Sequence, residues 1–260
     1  MSSTNNDSPK VSLFGVEIDA VTMPQAVEEV RRWLGSEDGR CKYVVTPNVD
    51  HTVMLQESQE FRDVYEGANL ILADGWPVVA ASRLVGRPLP ERVAGSDLVP
   101  TLFDSASDDQ PPMTVYLLGA MLGVAETAAA NIRKKWSNVV VVGTYSPPFG
   151  FEKDPEECDR ILAMIAEANP EVLVVGLGAP KQELWVHKHC DRIQARTALC
   201  VGATIDFLAG EKSRAPRWVQ KIGMEWCHRV LTEPKRLAKR YAKDAWIFPR
   251  LVLREWMGAR

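Results

Sequence analysis

Three side chains stand just past two short apolar runs. Thr46 and Asn48 follow Tyr43-Val44-Val45, and Asp74 follows Leu70-Ile71-Leu72-Ala73. A run of three or four β-forming residues bounded by turn residues reads as a strand buried on both faces. In a parallel sheet, the positions beyond the strands' carboxyl ends line the ligand crevice. Thr46, Asn48 and Asp74 are therefore expected to share one cleft, where the Asp74 carboxylate takes a proton from an attacking hydroxyl. Taken by itself, Asp74 favours a different reading, a helix N-cap, which aspartate fills routinely.

A second constellation runs from Val172 through Gly176-Leu177-Gly178 to Ala179-Pro180-Lys181-Gln182-Glu183. It reads as a strand, a Gly-x-Gly turn and a helix with Pro180 in its first position, whose free N–H groups would hold a phosphate. A glycine turn kept for packing alone is the other reading. The dinucleotide fingerprint needs a third glycine where Lys181 stands, so a nicotinamide enzyme is disfavoured and a nucleotide diphosphate is favoured. Walker A spacing and an Asp-x-Asp pair are both absent from the sequence. Positive potential for a diphosphate would then come from helix N-termini and from Arg92, Lys181, Arg214 and Arg217.

The elements that must position these groups alternate along the chain. A short hairpin, or a strand with a glycine turn, over Val11 to Asp19 precedes a helix capped at Thr22, with Val27, Val30 and Leu34 on one face and an end near Gly35. Strands are expected at Lys42–Thr46, Asn69–Ala73, Met113–Gly119, Val139–Gly143, Val172–Gly176 and Ala198–Val201. Helices are expected through Val53 to Tyr65, after Gly75, from Ser96, over Val124–Trp136, over Pro155–Ala168, from Pro180 and around Ile205–Leu208. Strands alternating with helices of this length imply right-handed crossovers and a mostly parallel sheet covered on both faces, a doubly wound, Rossmann-like α/β domain.

With 260 residues the chain can bury a large core, and no apolar stretch approaches the roughly 20 residues that span a bilayer. The polar opening, Ser2 to Pro9, lacks the form of a signal peptide, so a cytoplasmic protein is expected. Five dispersed cysteines read as buried thiols rather than as a disulfide framework, and His187 and His189 as exposed or capping residues rather than metal ligands. Charge is lopsided: residues 213–260 carry 12 basic against 4 acidic residues, a net of +8, while residues 1–212 sum to −11. Trp218, Ile222 and Trp226 recur at four-residue spacing, and a basic amphipathic segment with Trp246, Phe248, Leu251, Leu253 and Trp256 follows Pro234. Such a tail suits either a membrane interface or packing on its own domain or a neighbouring subunit. The expected organisation is a disordered N-terminus (1–10), a Rossmann-like domain (11–212) and a basic helical appendage (213–260).

Taken in order, Thr46-Pro47-Asn48, Ala73-Asp74-Gly75, Arg92-Val93-Ala94-Gly95-Ser96-Asp97, Leu118-Gly119-Ala120, Gly176 to Glu183, and Val201-Gly202-Ala203 with Asp206-Phe207 and Gly210 resemble the WecG/TagA/CpsF glycosyltransferase family (glycosyltransferase family 26). The likeness runs from about Phe14 to about Arg240. It implies transfer of a sugar, of N-acetylmannosamine or glucose type, from a UDP donor to a polyprenyl-diphosphate-linked saccharide at the cytoplasmic membrane face, with inversion and without a metal or other cofactor. By motif, Asp74 would be the general base, and Thr46 and Asn48 would hold the donor sugar and its phosphates. Arg92 would approach the diphosphate, and Gly178, Lys181, Gln182 and Glu183 would shape the uridine diphosphate pocket. Arg214 and Arg217 would neutralise the leaving group where the appendage begins. A homo-oligomer is compatible with this reading.

The sequence departs from many relatives at Trp76, where a smaller residue often follows the Asp-Gly pair, and in the tail after Lys243, which is longer and rich in Trp and Phe. Trp76 beside the catalytic position bears on which donor sugar fits. Two other function classes make distinct predictions. A non-catalytic nucleotide-binding module with a basic tail on nucleic acid predicts salt-sensitive RNA or DNA binding, and a dehydrogenase predicts stabilisation by NAD.

Overall fold

The computed structural model describes residues 8–36, 39–107, 109–212 and 234–258, with side chains of the last stretch described from residue 240. Arg214, Arg217, Trp218, Ile222 and Trp226 lie outside the described residues.

Six parallel strands form the central sheet: β3 (Lys42–Val45), β4 (Leu70–Ile71), β5 (Met113–Gly119), β6 (Val139–Tyr145), β7 (Val172–Gly176) and β8 (Thr197–Cys200), in the order β4-β3-β8-β7-β5-β6. Side chains alternate across a strand, so each buried strand feeds two cores. Tyr43, Val45, Tyr116, Leu118, Leu173, Val175, Ala198 and Cys200 enter one core, while Val44, Val115, Leu117, Val172, Val174 and Leu199 enter the other. This is the doubly wound architecture expected from the apolar runs. Helices α2 (Val49–Glu57), α3 (Gln59–Glu66), α4 (Trp76–Leu84), α7 (Pro155–Ala168) and α8 (Lys181–His189) bury residues in the first core. Helices α1 (Met23–Leu34), α5 (Gly95–Asp104), α6 (Val124–Lys135) and α9 (Thr204–Ala209) bury residues in the second.

Two expectations are revised. The single helix expected through Val53 to Tyr65 is broken at Ser58, whose extended backbone (φ −126°, ψ 119°) ends α2 while its hydroxyl caps Phe61 N–H at the start of α3. His187 and His189 are not exposed. His187 Nδ1 lies 2.9 Å from the Tyr43 hydroxyl, and His189 is buried beside Trp185. Cys41, Cys158 and Cys200 are buried thiols, with burial pushing Cys41 up to about 12, while Cys190 is half-buried. Cys227 lies outside the described residues.

An antiparallel hairpin, β1 (Lys10–Leu13) and β2 (Val16–Asp19), turns through Phe14 and Gly15, both at positive φ (56° and 84°). That two-residue turn matches the strands' right-handed twist and normally avoids a bulky residue. Phe14 is held there by the C-terminal helix, Pro234–Gly258: its ring meets Phe248 at 5.4 Å and its N–H donates to Glu255 Oε1 at 3.0 Å. Leu251 of that helix is buried, and Ile247, Phe248, Val252 and Trp256 pack against the same core. One face of the appendage thus packs on its own domain. Trp246, Leu253 and Met257 project outward, 68%, 52% and 58% exposed.

Candidate active site

Strands β5 and β7 are neighbours, yet β5 leads outward to β6 and β7 leads the other way to β8. Such a reversal opens a crevice at the carboxyl edge of the sheet. Close approach there depends on Gly119, at φ +119°, where any Cβ would fall 2.5 Å from the Gly176 carbonyl oxygen.

The loops after β3 and β4 are stitched together by backbone. Leu72 N–H donates to Val45 O at 3.0 Å and Asp74 N–H to Pro47 O at 2.8 Å, while Val93 N–H reaches Ala73 O at 2.9 Å. Three motif segments are thereby brought side by side. Gly75 follows at φ +140°, ψ 131°, a conformation open to glycine, and occupies the N-cap position of α4. Asp74 is therefore not the N-cap. Its carboxylate is 28% exposed and stands 3.7 Å from the Arg92 guanidinium, which also binds Asp97 at 2.8 Å. Arg92 itself is 13% exposed, so two carboxylates fix a largely buried cation at the rim of the cleft. Trp76 begins α4 and is half-buried.

Thr46 is buried, and its hydroxyl donates to Cys200 O at 3.3 Å, bracing β3 against β8. Asn48 caps α2: its Oδ1 accepts from His51 N–H at 3.3 Å, and its own N–H donates to His51 Nδ1 at 3.3 Å. Gly75 lies beside it, a Cβ there being 3.8 Å from Asn48 Cβ.

At the glycine turn, Gly178 has φ +79°, and Pro180 is the N-cap of α8 rather than its first helical residue. The side chains expected around a uridine diphosphate are placed less openly than their motif implied. Gln182 and Glu183 are 2% and 1% exposed. Gln182 Oε1 accepts from Gly178 N–H at 3.2 Å and from Gly202 N–H at 3.1 Å, and its Nε2 donates to Glu183 Oε1 at 2.7 Å. Gln182 thus meets the backbone of two loops, and Glu183 meets the side chains of Gln182 and His51. Lys181 points to the loop after β6, with Nζ 3.4 Å from Glu152 and 5.0 Å from the Phe149 ring.

A cavity of about 860 Å³ lies elsewhere, bordered by Leu162, Asn169, Arg192 and Arg196. It shares no residue with the motifs, and Arg192 and Arg196 are occupied by Asp159 and by the Ser36 carbonyl.

A model of the glycosyl transferase WecG/TagA/CpsF family matches residues 11–260, nearly the whole chain. The chain belongs to that family. This glycosyltransferase is 28% identical over 234 residues to proteins of Staphylococcus aureus strains MRSA252, NCTC 8325 / PS 47 and COL. Those relatives are named N-acetylglucosaminyldiphosphoundecaprenol N-acetyl-beta-D-mannosaminyltransferase, and the match covers 90% of this chain and 89% of theirs.

Two features of the glycosyltransferase escaped the sequence reading. His51 joins Asn48 to Glu183, its Nε2 being 3.3 Å from Glu183 Oε1. The signal available was its place three residues after an N-cap, where glutamate or glutamine is the usual partner. Asp244, on the C-terminal helix, is 2% exposed, and among the described residues neither carboxylate oxygen has a hydrogen-bond partner. Burial, and then the nearby Asp50 carboxylate, push its pKa up to about 6, against the opposing pull of Arg240 and Lys243. Arg240 is ion-paired with Asp50. No sequence pattern marks Asp244 as buried, because it sits in a basic stretch that reads as solvated.

Proposed function

We propose that this family member is an inverting, metal-independent glycosyltransferase using a UDP-sugar of N-acetylmannosamine or glucose type, with a polyprenyl-diphosphate-linked saccharide as acceptor. Its chief support is the placement of Asp74: a partly open carboxylate at the carboxyl edge of the sheet, beside Arg92 and the Thr46–Asn48 loop. The relatives' name specifies a mannosaminyl transfer and a diphosphoundecaprenol-linked acceptor, in keeping with that chemistry.

In the proposed reaction the Asp74 carboxylate accepts the proton of the acceptor hydroxyl as that oxygen bonds to the anomeric carbon. The bond from that carbon to the diphosphate oxygen breaks on the opposite face, its electron pair leaves with UDP, and the anomeric configuration inverts. Arg92 faces the charge that develops on the diphosphate, a preorganised cation of the kind that acts most strongly in a partly desolvated site. Arg214 and Arg217 are assigned the same task from the appendage. Asn48 and Gly178 border the donor from two loops, with Thr46, Gln182 and Glu183 holding those loops in place and Lys181 at the outer edge.

Among the described residues no helix is long and apolar enough to cross a membrane. The C-terminal helix sets Trp246, Leu253 and Met257 outward among Arg250 and Arg254, a composition that lies in a lipid interface. Residues 213–260 are proposed as the surface that meets the cytoplasmic face of the membrane, where the acceptor is held.

The test is transfer from UDP-N-acetylmannosamine and UDP-glucose to a polyprenyl-diphosphate-linked N-acetylglucosamine, in EDTA, with UDP and NAD compared as stabilising ligands. Turnover in EDTA and stabilisation by UDP alone support the proposal. Activity abolished by EDTA, or stabilisation by NAD, refutes it.

A further inference from the structure

Three backbone amides on three different cleft loops end on one chain of buried side chains. Asn48 N–H, after β3, donates to His51 Nδ1. That acceptor role leaves the imidazole proton on Nε2, which then donates to Glu183 Oε1 at 3.3 Å. Glu183 Oε1 also receives Gln182 Nε2 at 2.7 Å, and Gln182 Oε1 in turn receives Gly178 N–H, after β7, and Gly202 N–H, after β8. His51, Gln182 and Glu183 are each 5% exposed or less.

Glu183 is a poor choice for stability. Among the described residues its Oε2 has no hydrogen-bond partner, and the buried Tyr65 hydroxyl also lacks one. Apolar residues of similar volume serve a core at least as well as a buried carboxylate does. What a carboxylate adds here is the ability to accept two donors at once, from α2 and from α8, and so to fix one helix start against the other.

We infer that His51 and Glu183 are positioning residues: together with Gln182 they form a relay that holds the loops at Asn48, Gly178 and Gly202 in mutual register, so that the proposed base side and diphosphate side of the cleft move as one unit. Neither touches substrate. The consequence for ligand affinity rests on the UDP-dependent reading above, whereas the coupling of the three loops does not.

The relay carries its own reporters, because its terminal donors are exchangeable amides. Hydrogen exchange of the full chain, read in peptides covering 46–52, 176–184 and 201–204, is compared for the wild type, His51→Leu, His51→Gln and Gln182→Met. Glutamine offers an acceptor and a donor spaced like the two imidazole nitrogens and is a standard residue at that capping position. His51→Leu should speed exchange roughly tenfold or more in both 46–52 and 176–184, and His51→Gln should restore both. Gln182→Met takes from Glu183 one of its two donors as well as releasing the Gly178 and Gly202 amides. It should speed exchange in 176–184 and 201–204 and, to a smaller extent, in 46–52, and that spread decides the matter even if His51→Leu does not fold. In parallel, UDP affinity should fall about tenfold in His51→Leu and recover in His51→Gln, as expected when a supporting shell lets a site loosen. Exchange changes confined to 46–52 in His51→Leu, no rescue by glutamine, or changes confined to 176–184 and 201–204 in Gln182→Met would overturn the relay. Failure of the wild type to bind UDP, with the exchange pattern intact, would instead overturn the donor assignment alone.

Discussion

The main-chain N–H of Asp74 donates to the carbonyl of Pro47 at 2.8 Å, so the loop bearing the proposed base is fastened to the loop between Thr46 and Asn48. With Gly75 in the cap position of α4, the Asp74 carboxylate is turned toward Arg92 instead of the helix start. The backbone thereby sets the position of the proposed base, and the Arg92 guanidinium faces its carboxylate.

Gly75→Ala should reveal how much that geometry depends on one glycine. The φ of +140° is costly for any residue with a Cβ, by about 1–3 kcal/mol, although nearby space is adequate at 3.7–3.8 Å. The variant is expected to melt several degrees lower and to lose more activity than its stability loss explains, because relief of strain shifts Asp74. Calorimetry and transfer rates at a temperature where both proteins are folded check this. Wild-type activity in a destabilised variant would break the link.

Arg92 holds Asp74 and Asp97 with different nitrogens of one planar group, which a lysine ammonium cannot reproduce. Arg92→Lys and Arg92→Ala are both expected to reduce kcat/KM, the alanine by roughly 10²- to 10³-fold, the range for removing one preorganised charge-stabilising group. Steady-state kinetics with the preferred UDP-sugar measure it. Equal activity for lysine and arginine would mean that fork geometry is irrelevant.

Asp244 gives a pH signature. Its pKa is raised in the folded protein to about 6 from an ordinary value near 3.8, so the fold favours the protonated form. Stability from this group is fully present below about pH 4 and is lost as pH rises through about 6. Between pH 4 and 7.5 the wild type should lose about 2 kcal/mol relative to Asp244→Asn, at 1.36 kcal/mol per pKa unit. Denaturant unfolding of both proteins across that range decides it; parallel curves would show that Asp244 is not the group responsible.

The C-terminal helix has two faces with separable jobs. Leu251→Ala, at a buried position, should cost about 2–5 kcal/mol. Replacing the exposed Trp246, Leu253 and Met257 by serine should leave unfolding within about 0.5 kcal/mol per site but weaken sedimentation with vesicles containing anionic lipid. Unchanged vesicle binding in the triple variant would exclude this face as the membrane contact.

Much of the scaffold was legible because the strands announce themselves. Val172–Gly176 and Tyr43–Val45 are continuous apolar runs that stop at turn residues, and the sheet is built from those runs. The placement of Thr46, Asn48 and Asp74 was legible for the same reason, since the carboxyl end of a parallel strand fixes where the next residues go. Arg92, by contrast, follows no strand and was legible only as a candidate cation within a motif. Side-chain partnerships were not legible. Ser58 breaks a helix that periodicity alone carries through, because one hydroxyl bonded to Phe61 N–H outweighs the pattern. Gln182 and Glu183 read as pocket residues in a motif but are turned inward, where only tertiary contacts with His51, Gly178 and Gly202 reveal their use. Asp244 is buried by a helix whose docking depends on Phe14, more than 200 positions earlier, a relation no local spacing encodes.

The most direct measurement of the central claim is single-turnover transfer by Asp74→Asn, using the UDP-sugar that best stabilises the wild type and a polyprenyl-diphosphate-linked acceptor. Asparagine preserves shape and removes the base, so the chemical step should slow by roughly 10²- to 10⁴-fold while UDP affinity stays within a few fold. A variant that binds UDP normally and transfers sugar at the wild-type rate would contradict the assignment of Asp74 as the proton acceptor.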